Sequence, residues 1–207
     1  MPENTLFSYR RKNLGENNET LRWWLSGDRV TIERDCLGRD MLSQKGPGWT
    51  NLTLVGSAWS DRKLFFHFDC WSGGPRQGQD SVVLVIQPES VGTSVRIEID
   101  SHGRCIDAHV LRAGVDIDLK WESRAEVEIV PGDKGLSHHL QVALPLHDLL
   151  LLCSEASPQE GSVWRLNLAR IIEIEEETEY LLWRPSFSTY PDVLDPAAFG
   201  NLMFLEA

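Results

Sequence analysis

Residues Val95–Asp100 alternate without a fault: Val95, Ile97 and Ile99 fall on one face of an extended chain, Arg96, Glu98 and Asp100 on the other. Side chains alternate across a strand with a period of two, so this segment buries one face and wets the other only as a β-strand. The same rhythm recurs along most of the chain. Leu52–Trp59 and Lys63–Trp71 predict a hairpin across Ser60-Asp61-Arg62, and Asp80–Gln87 (DSVVLVIQ) is a continuous apolar run stopped by Pro88, as expected of a strand covered on both faces. Arg104–Leu111 returns from the turn Ser101-His102-Gly103. Ala125–Val130, Leu140–Leu144, Val163–Ile174, Leu181–Trp183 and Asn201–Leu205 bring the total to about ten strands. Pro145–Cys153 is the one short helix, with Pro in its first turn and Leu146, Leu149, Leu150 and Cys153 on one face. Without βαβ alternation, the pattern predicts an all-β chain: an antiparallel, jelly-roll-like β-sandwich. Residues 1–27 are polar and turn-rich and read as an arm docked by Trp23-Trp24, leaving residues 28–207 as a single domain.

Charge narrows the partners. With 20 Lys and Arg against 31 Asp and Glu, the net charge is 20 − 31 = −11, and no basic tract interrupts it. Nucleic acids and anionic membrane surfaces both require clustered positive charge, so neither is an expected partner. No run of 18 apolar residues is present, which excludes a membrane-spanning helix. The start MPENTLFSYRRKN lacks the apolar core of a signal peptide, so the expected location is cytoplasmic unless a leader is removed.

Catalytic chemistry finds little support. There is no G-x-S-x-G elbow and no cysteine in a reactive setting, so the chain is read as non-catalytic. Cys36, Cys70, Cys105 and Cys153 form no C-x-x-C pair and are expected as buried free thiols. His67 and Asp69 share a strand face and His138-His139 turns its rings to opposite faces, yet no zinc-type spacing appears. Loop carboxylates leave structural calcium open. Glu98 with Asp100, and the glutamates at 173, 175, 176, 177 and 179, read as solvated faces.

The eight tryptophans are the unusual count. A sugar ring offers an apolar C–H face that stacks on Trp or Tyr and a rim of hydroxyls that takes Arg, Asp, Asn or Gln. Trp49, Trp71, Trp121 and Trp183 fall at strand ends or turns, where they either line such a site or seal the sheet edge.

The C-terminal third carries a more specific pattern. Val163-Trp164-Arg165-Leu166-Asn167-Leu168-Ala169-Arg170-Ile171 is followed by Trp183-Arg184-Pro185-Ser186 and then by Asp195-Pro196-Ala197-Ala198-Phe199-Gly200-Asn201-Leu202-Met203-Phe204. Together with Gly56–Phe68, Gln79-Asp80-Ser81-Val82 and Val95–Gly103 upstream, this order resembles the family 9 carbohydrate-binding modules and their DOMON-related β-sandwich relatives. The resemblance implies a non-catalytic module that clamps a sugar, often a chain end, between two aromatics. It also implies a link to polysaccharide breakdown, with a glycoside hydrolase encoded elsewhere as a partner. Carried over, Arg96 matches the arginine that hydrogen-bonds hydroxyls and Asp80 the motif aspartate. Gln77 stands where the family has an aromatic three residues before that aspartate, and Val83 where it has a glutamate. Tyr190 is the ring nearest the second clamp position, and Trp71 is the ring available from the first loop. Two readings follow: a sugar site built from Arg96, Asp80, Trp71, Tyr190 and Gln77, or a β-sandwich for protein interaction and scaffolding whose sugar site has eroded.

Overall fold

The computed structural model describes residues 4–11, 28–45, 51–72, 79–88, 92–112, 116–132, 137–153, 157–174 and 176–206. The strands are β1 (Thr5–Arg10), β2 (Val30–Ile32), β3 (Thr53–Trp59), β4 (Lys63–Trp71), β5 (Asp80–Gln87), β6 (Ser94–Asp100), β7 (Cys105–Arg112), β8 (Asp116–Asp118), β9 (Glu126–Pro131), β10 (Ser137–Pro145), β11 (Val163–Ile174), β12 (Glu177–Leu182) and β13 (Gly200–Leu205). Two short helices, α1 (Met41–Lys45) and α2 (Leu146–Cys153), and a 3-10 turn at Pro196–Ala198 complete the described elements. None of these helices is long and apolar enough to cross a membrane.

All strands belong to one sheet, ordered β8-β7-β6-β5-β11-β13-β1-β3-β4-β10-β9, with β12 beside β11 and β2 beside β3. The all-β expectation holds, but the wholly antiparallel one does not. β1 lies between β13 and β3 and runs parallel to both, from Thr5↔Asn201 to Tyr9↔Leu205 and from Ser8↔Ser57 to Arg10↔Trp59. The segment read as part of a docked arm therefore supplies a central strand. Its alternation is masked because an interior position is polar: buried Ser8 meets Ser57, whose hydroxyl lies 3.0 Å from its own. Trp23, Trp24 and Trp49 lie outside the described residues.

The sheet curls so that its two halves share one core. Val82, Leu84, Ile86, Val95, Ile97 and Ile99 of β5 and β6 join one cluster with Leu64, Phe66, Phe68, Leu140, Val142 and Leu144 of β4 and β10. Leu146 and Leu149 of α2 close on the same cluster. Within β4 the alternation then sends Phe65, His67, Asp69 and Trp71 to the outer face. The unbroken apolar run of β5 has the predicted cause, since Val83 and Val85 are buried in a second cluster with Ala169, Leu182 and Phe199.

The thiols divide. Cys70 is buried, and burial pushes its thiol up to about 12. Cys36 is half-buried, and Cys105 is exposed, contrary to the expectation of four buried thiols, because β7 has only the three-residue β8 beyond it. The Cys153 side chain lies outside the described set.

Gly200 opens β13 at a close crossing: a Cβ there would stand 2.6 Å from Trp183 Cη2 and 2.8 Å from the Asn4 carbonyl oxygen. A backbone atom on one side and a buried indole on the other leave little room to yield. Gly200→Ala is expected to cost about 1–3 kcal/mol, read as a lowered urea midpoint with an unchanged slope.

Candidate functional site

The outer face of β5, β6 and β11 carries the first candidate. Cross-strand register puts Asn167, Val85 and Arg96 in one row. Two strand spacings therefore separate Arg96 from Asn167, roughly 10 Å. Arg96 Nη2 donates to Glu98 Oε2, and Ser81 Oγ donates to Glu98 Oε1 at 2.9 Å, so a guanidinium, a carboxylate and a hydroxyl stand side by side.

The segment from Trp183 to Phe199 is fastened across this face. Asn167 Nδ2 donates to the carbonyls of Arg184 and Val193, each at 3.4 Å. Arg165 donates to the Pro196 carbonyl and holds its guanidinium 5.5 Å from the Phe199 ring centroid. Val193 and Leu194 pack on the cluster of Val83 and Val85. Asp195 caps the 3-10 turn, accepting from Ala197 N at 2.9 Å. So held, the strap presents two rings to solvent: Tyr190 is 79% exposed and Phe187 71%. Phe187 has φ 54 and lies against Gly38, where a Cβ would stand 2.6 Å from Cε1 of its ring. Gly38 itself has φ +81, a conformation that glycine adopts without strain. Phe187 was not among the sequence candidates. The available signal was a bulky aromatic between Ser186 and Ser188, in a stretch with no strand periodicity.

The other sequence candidates fall elsewhere. Asp80 is committed to the interior: Arg170 Nε donates to its Oδ1 at 2.9 Å and Nη2 to its Oδ2 at 2.6 Å. Trp71 ends β4 at 37% exposure on the outer face of the opposite half of the sheet from Arg96. Gln77 lies outside the described residues. Of the five, Arg96 stands on this face, and Tyr190 is carried by the strap fastened to it at Asn167. Trp121 lines a separate cavity of about 450 Å³ with Ile106, Asp107, Leu119, Glu122 and Arg124.

Trp71's face carries a second constellation. His67 Nε2 lies 2.7 Å and His139 Nδ1 2.5 Å from Asp69 Oδ1, and the two imidazoles stack with centroids 5.9 Å apart. Arg29 Nη1 holds Asp69 Oδ2 at 3.2 Å. Burial opposes ionisation of Asp69, but hydrogen bonds from both histidines outweigh it and hold its carboxyl at about 2. His138 turns away from His139, as adjacent residues on a strand do, and burial lowers its pKa below the usual imidazole range. Among the described residues this is the one convergent group of three His, Cys, Asp or Glu donors. Its imidazoles suit a borderline transition ion, whereas calcium takes oxygen ligands.

No family model and no curated protein matches the sequence. Solved structures match along nearly the whole chain. A proposed carbohydrate-binding protein from Bacteroides uniformis ATCC 8492 superposes with a TM-score of 0.73 at 14% identity, covering 97% of this chain and 99% of its own. A family 9 carbohydrate-binding module from Caldicellulosiruptor kristjanssonii, solved with glucose and with cellotriose, superposes with a TM-score of 0.61 at 10% identity. The glucose complex covers 98% of this chain and 96% of its own. This chain shares the fold of those carbohydrate-binding proteins.

Proposed function

We propose that the chain is a non-catalytic carbohydrate-binding module that receives a sugar ring, at the end of a glycan chain, on the outer face of β5, β6 and β11. The observation that supports this reading is the strap, which is fastened at Asn167 on the sheet face that also presents Arg96 and which carries Tyr190 and Phe187 exposed, in a fold shared with modules solved with glucose and cellotriose. An exposed ring supplies a stacking surface for the C–H face of a pyranose. Arg96 brings donors and Glu98 an acceptor at adjacent positions on one strand face, a pairing suited to vicinal hydroxyls, which each donate and accept. The module would work alongside a glycoside hydrolase encoded elsewhere, in polysaccharide breakdown.

Calorimetric titration with glucose and cellotriose tests the reading. Saturable binding is expected, with Tyr190→Ala and Arg96→Ala each weakening it about fivefold or more, the equivalent of about 1 kcal/mol for a lost stacking or charged contact. Trp71→Ala and Trp121→Ala are expected to leave it unchanged. Chain-end recognition is read from cellotriose against its reduced alditol and against internal segments of long chains. Absence of saturable binding on a glycan array, or binding indifferent to both Tyr190→Ala and Arg96→Ala, overturns the proposal.

A further inference from the structure

We propose that His67, Asp69 and His139 form a binding site for one divalent transition-metal ion of the zinc type on the outer face of β3, β4 and β10. His67 and Asp69 are two apart on β4 and so share a face, and His139 is the cross-strand partner of Asp69 on β10. One donor atom from each of His67, Asp69 and His139 lies within 4.8 Å of the other two, and Asp69 Oδ1 meets His67 Nε2 and His139 Nδ1 directly. Two imidazoles and a carboxylate are a donor set that zinc accepts, leaving a fourth position open.

The rest of the face supports an ion. Around a tetrahedral ion with bonds of about 2.0–2.1 Å, neighbouring donors stand about 3.3 Å apart. Here they are drawn in to 2.7 and 2.5 Å by two hydrogen bonds, so opening each contact by less than about 1 Å exchanges those bonds for the metal. Arg29 occupies Asp69 Oδ2, which fixes the carboxylate and leaves Oδ1 as the ligating oxygen. Among the described residues, nothing lies within 4 Å of where a Cβ of Gly56, the buried partner of His67 on β3, would stand. On the other side of His67 its β10 partner, Gln141, has a buried Oε1 with no hydrogen-bond partner among the described residues. That orphaned acceptor takes either the fourth coordination position or the proton of an ion-bound water. All three ligands sit on paired strands of the sheet, so a bound ion would pin β4 to β10. None of this depends on the sugar site, which lies on the opposite outer face.

The test uses the full chain stripped of metal. Titration with ZnCl2 is expected to show one ion per chain, bound at least tenfold more tightly than CaCl2, and CoCl2 to give the intense visible absorption of a tetrahedral site. Zn2+ is expected to raise the melting temperature in proportion to the logarithm of its concentration above saturation. His139→Ala, at a half-buried position, is expected to weaken Zn2+ binding at least tenfold and to abolish most of the Zn2+-dependent rise in melting temperature, measured against the variant's own metal-free melt, which the lost hydrogen bond to Asp69 lowers. His147→Ala, at an exposed position, is the control and is expected to change nothing. Absence of stoichiometric Zn2+ binding, or binding unaltered in His139→Ala, overturns the proposal and leaves a buried Asp–His network without an ion. Should His139→Ala fail to fold, the Co2+ spectrum of the parent chain decides alone: an octahedral, weakly absorbing spectrum overturns the site.

Discussion

Arg170→Met is expected to destabilise the folded chain by about 3–5 kcal/mol, the usual cost of removing one partner from a buried ion pair. Arg170 is fully buried, on the core-facing row of β11 between Leu168 and Ile172. Burial would lower its pKa, but the ion pair with Asp80 holds it above its ordinary value, so the charge is present and paired. Besides the two bonds to Asp80, Nη1 donates to the Trp71 carbonyl at 2.7 Å, to Thr53 Oγ1 at 3.1 Å and to the Leu52 carbonyl at 3.4 Å. One guanidinium thus ties the end of β4 and the start of β3 to the first residue of β5, across the two halves of the curled sheet. Its removal strands the Asp80 carboxylate and takes a donor from the Trp71 carbonyl and Thr53 Oγ1, while the Leu52 carbonyl keeps Trp71 N at 2.8 Å. A fall of roughly 1–2 M in the urea midpoint, with the slope unchanged, is the measurement. Asp80→Leu alone is expected to cost as much, because it strands the cation instead. The double variant Arg170→Met/Asp80→Leu is expected to recover much of the loss, since no orphaned charge remains. A cost below about 1 kcal/mol for Arg170→Met would show that the pair is not what closes this end of the sheet.

This ion pair also marks where a sequence stops being readable. Lys63–Trp71, Asp80–Gln87 and Val163–Ile174 appear in the structure with the bounds their apolar runs and flanking breaks indicate. A two-residue period reports which side chains share a face, and so Val95, Ile97 and Ile99 were legible as core. It does not report which strand lies alongside. Asp80 resembled a motif aspartate of a sugar site, and only the β5–β11 register brings Arg170 beside it. Trp71 and Arg96 each alternate outward from their own strands. Their separation onto opposite outer faces follows from the closure β11-β13-β1-β3-β4, which depends on β1, the strand whose buried serine hid its pattern. His67 and Asp69 were visible as a same-face pair, whereas His139 joins them through the β4–β10 register. The strap residues Phe187 and Tyr190 have no period to read, because tertiary anchors at Asn167 and Arg165 set their course.

Trp164→Ala is expected to cost about 3–5 kcal/mol, or roughly 10–15 °C in melting temperature for a chain of this size, without touching the proposed sugar face. Trp164 is buried, paired with Leu202 across β11 and β13, and meets the Phe204 ring edge-on at 5.0 Å and 70°. Phe204 in turn meets Trp59 of β3 at 5.5 Å and 86°, and Trp59 Nε1 donates to the Leu205 carbonyl at 3.1 Å. This chain of edge-to-face rings joins β11, β13 and β3 and thereby spans the parallel strand β1, where the sheet departs from simple hairpin pairing. Trp164→Phe keeps a ring against Phe204 and is expected to lose less than half as much as the alanine variant. Tyr190→Ala removes an exposed ring and is expected to change stability by no more than about 0.5 kcal/mol, while weakening sugar binding. Melting curves and calorimetric titrations on the three variants separate the two kinds of aromatic residue. A Tyr190→Ala chain that melts as early as Trp164→Ala, or a Trp164→Ala chain that stays as stable as the parent, would remove the distinction. The expected result instead assigns buried Trp164, with the ring chain through Phe204 to Trp59, to holding the curled sheet shut, and leaves the proposed sugar contact to rings carried on the strap.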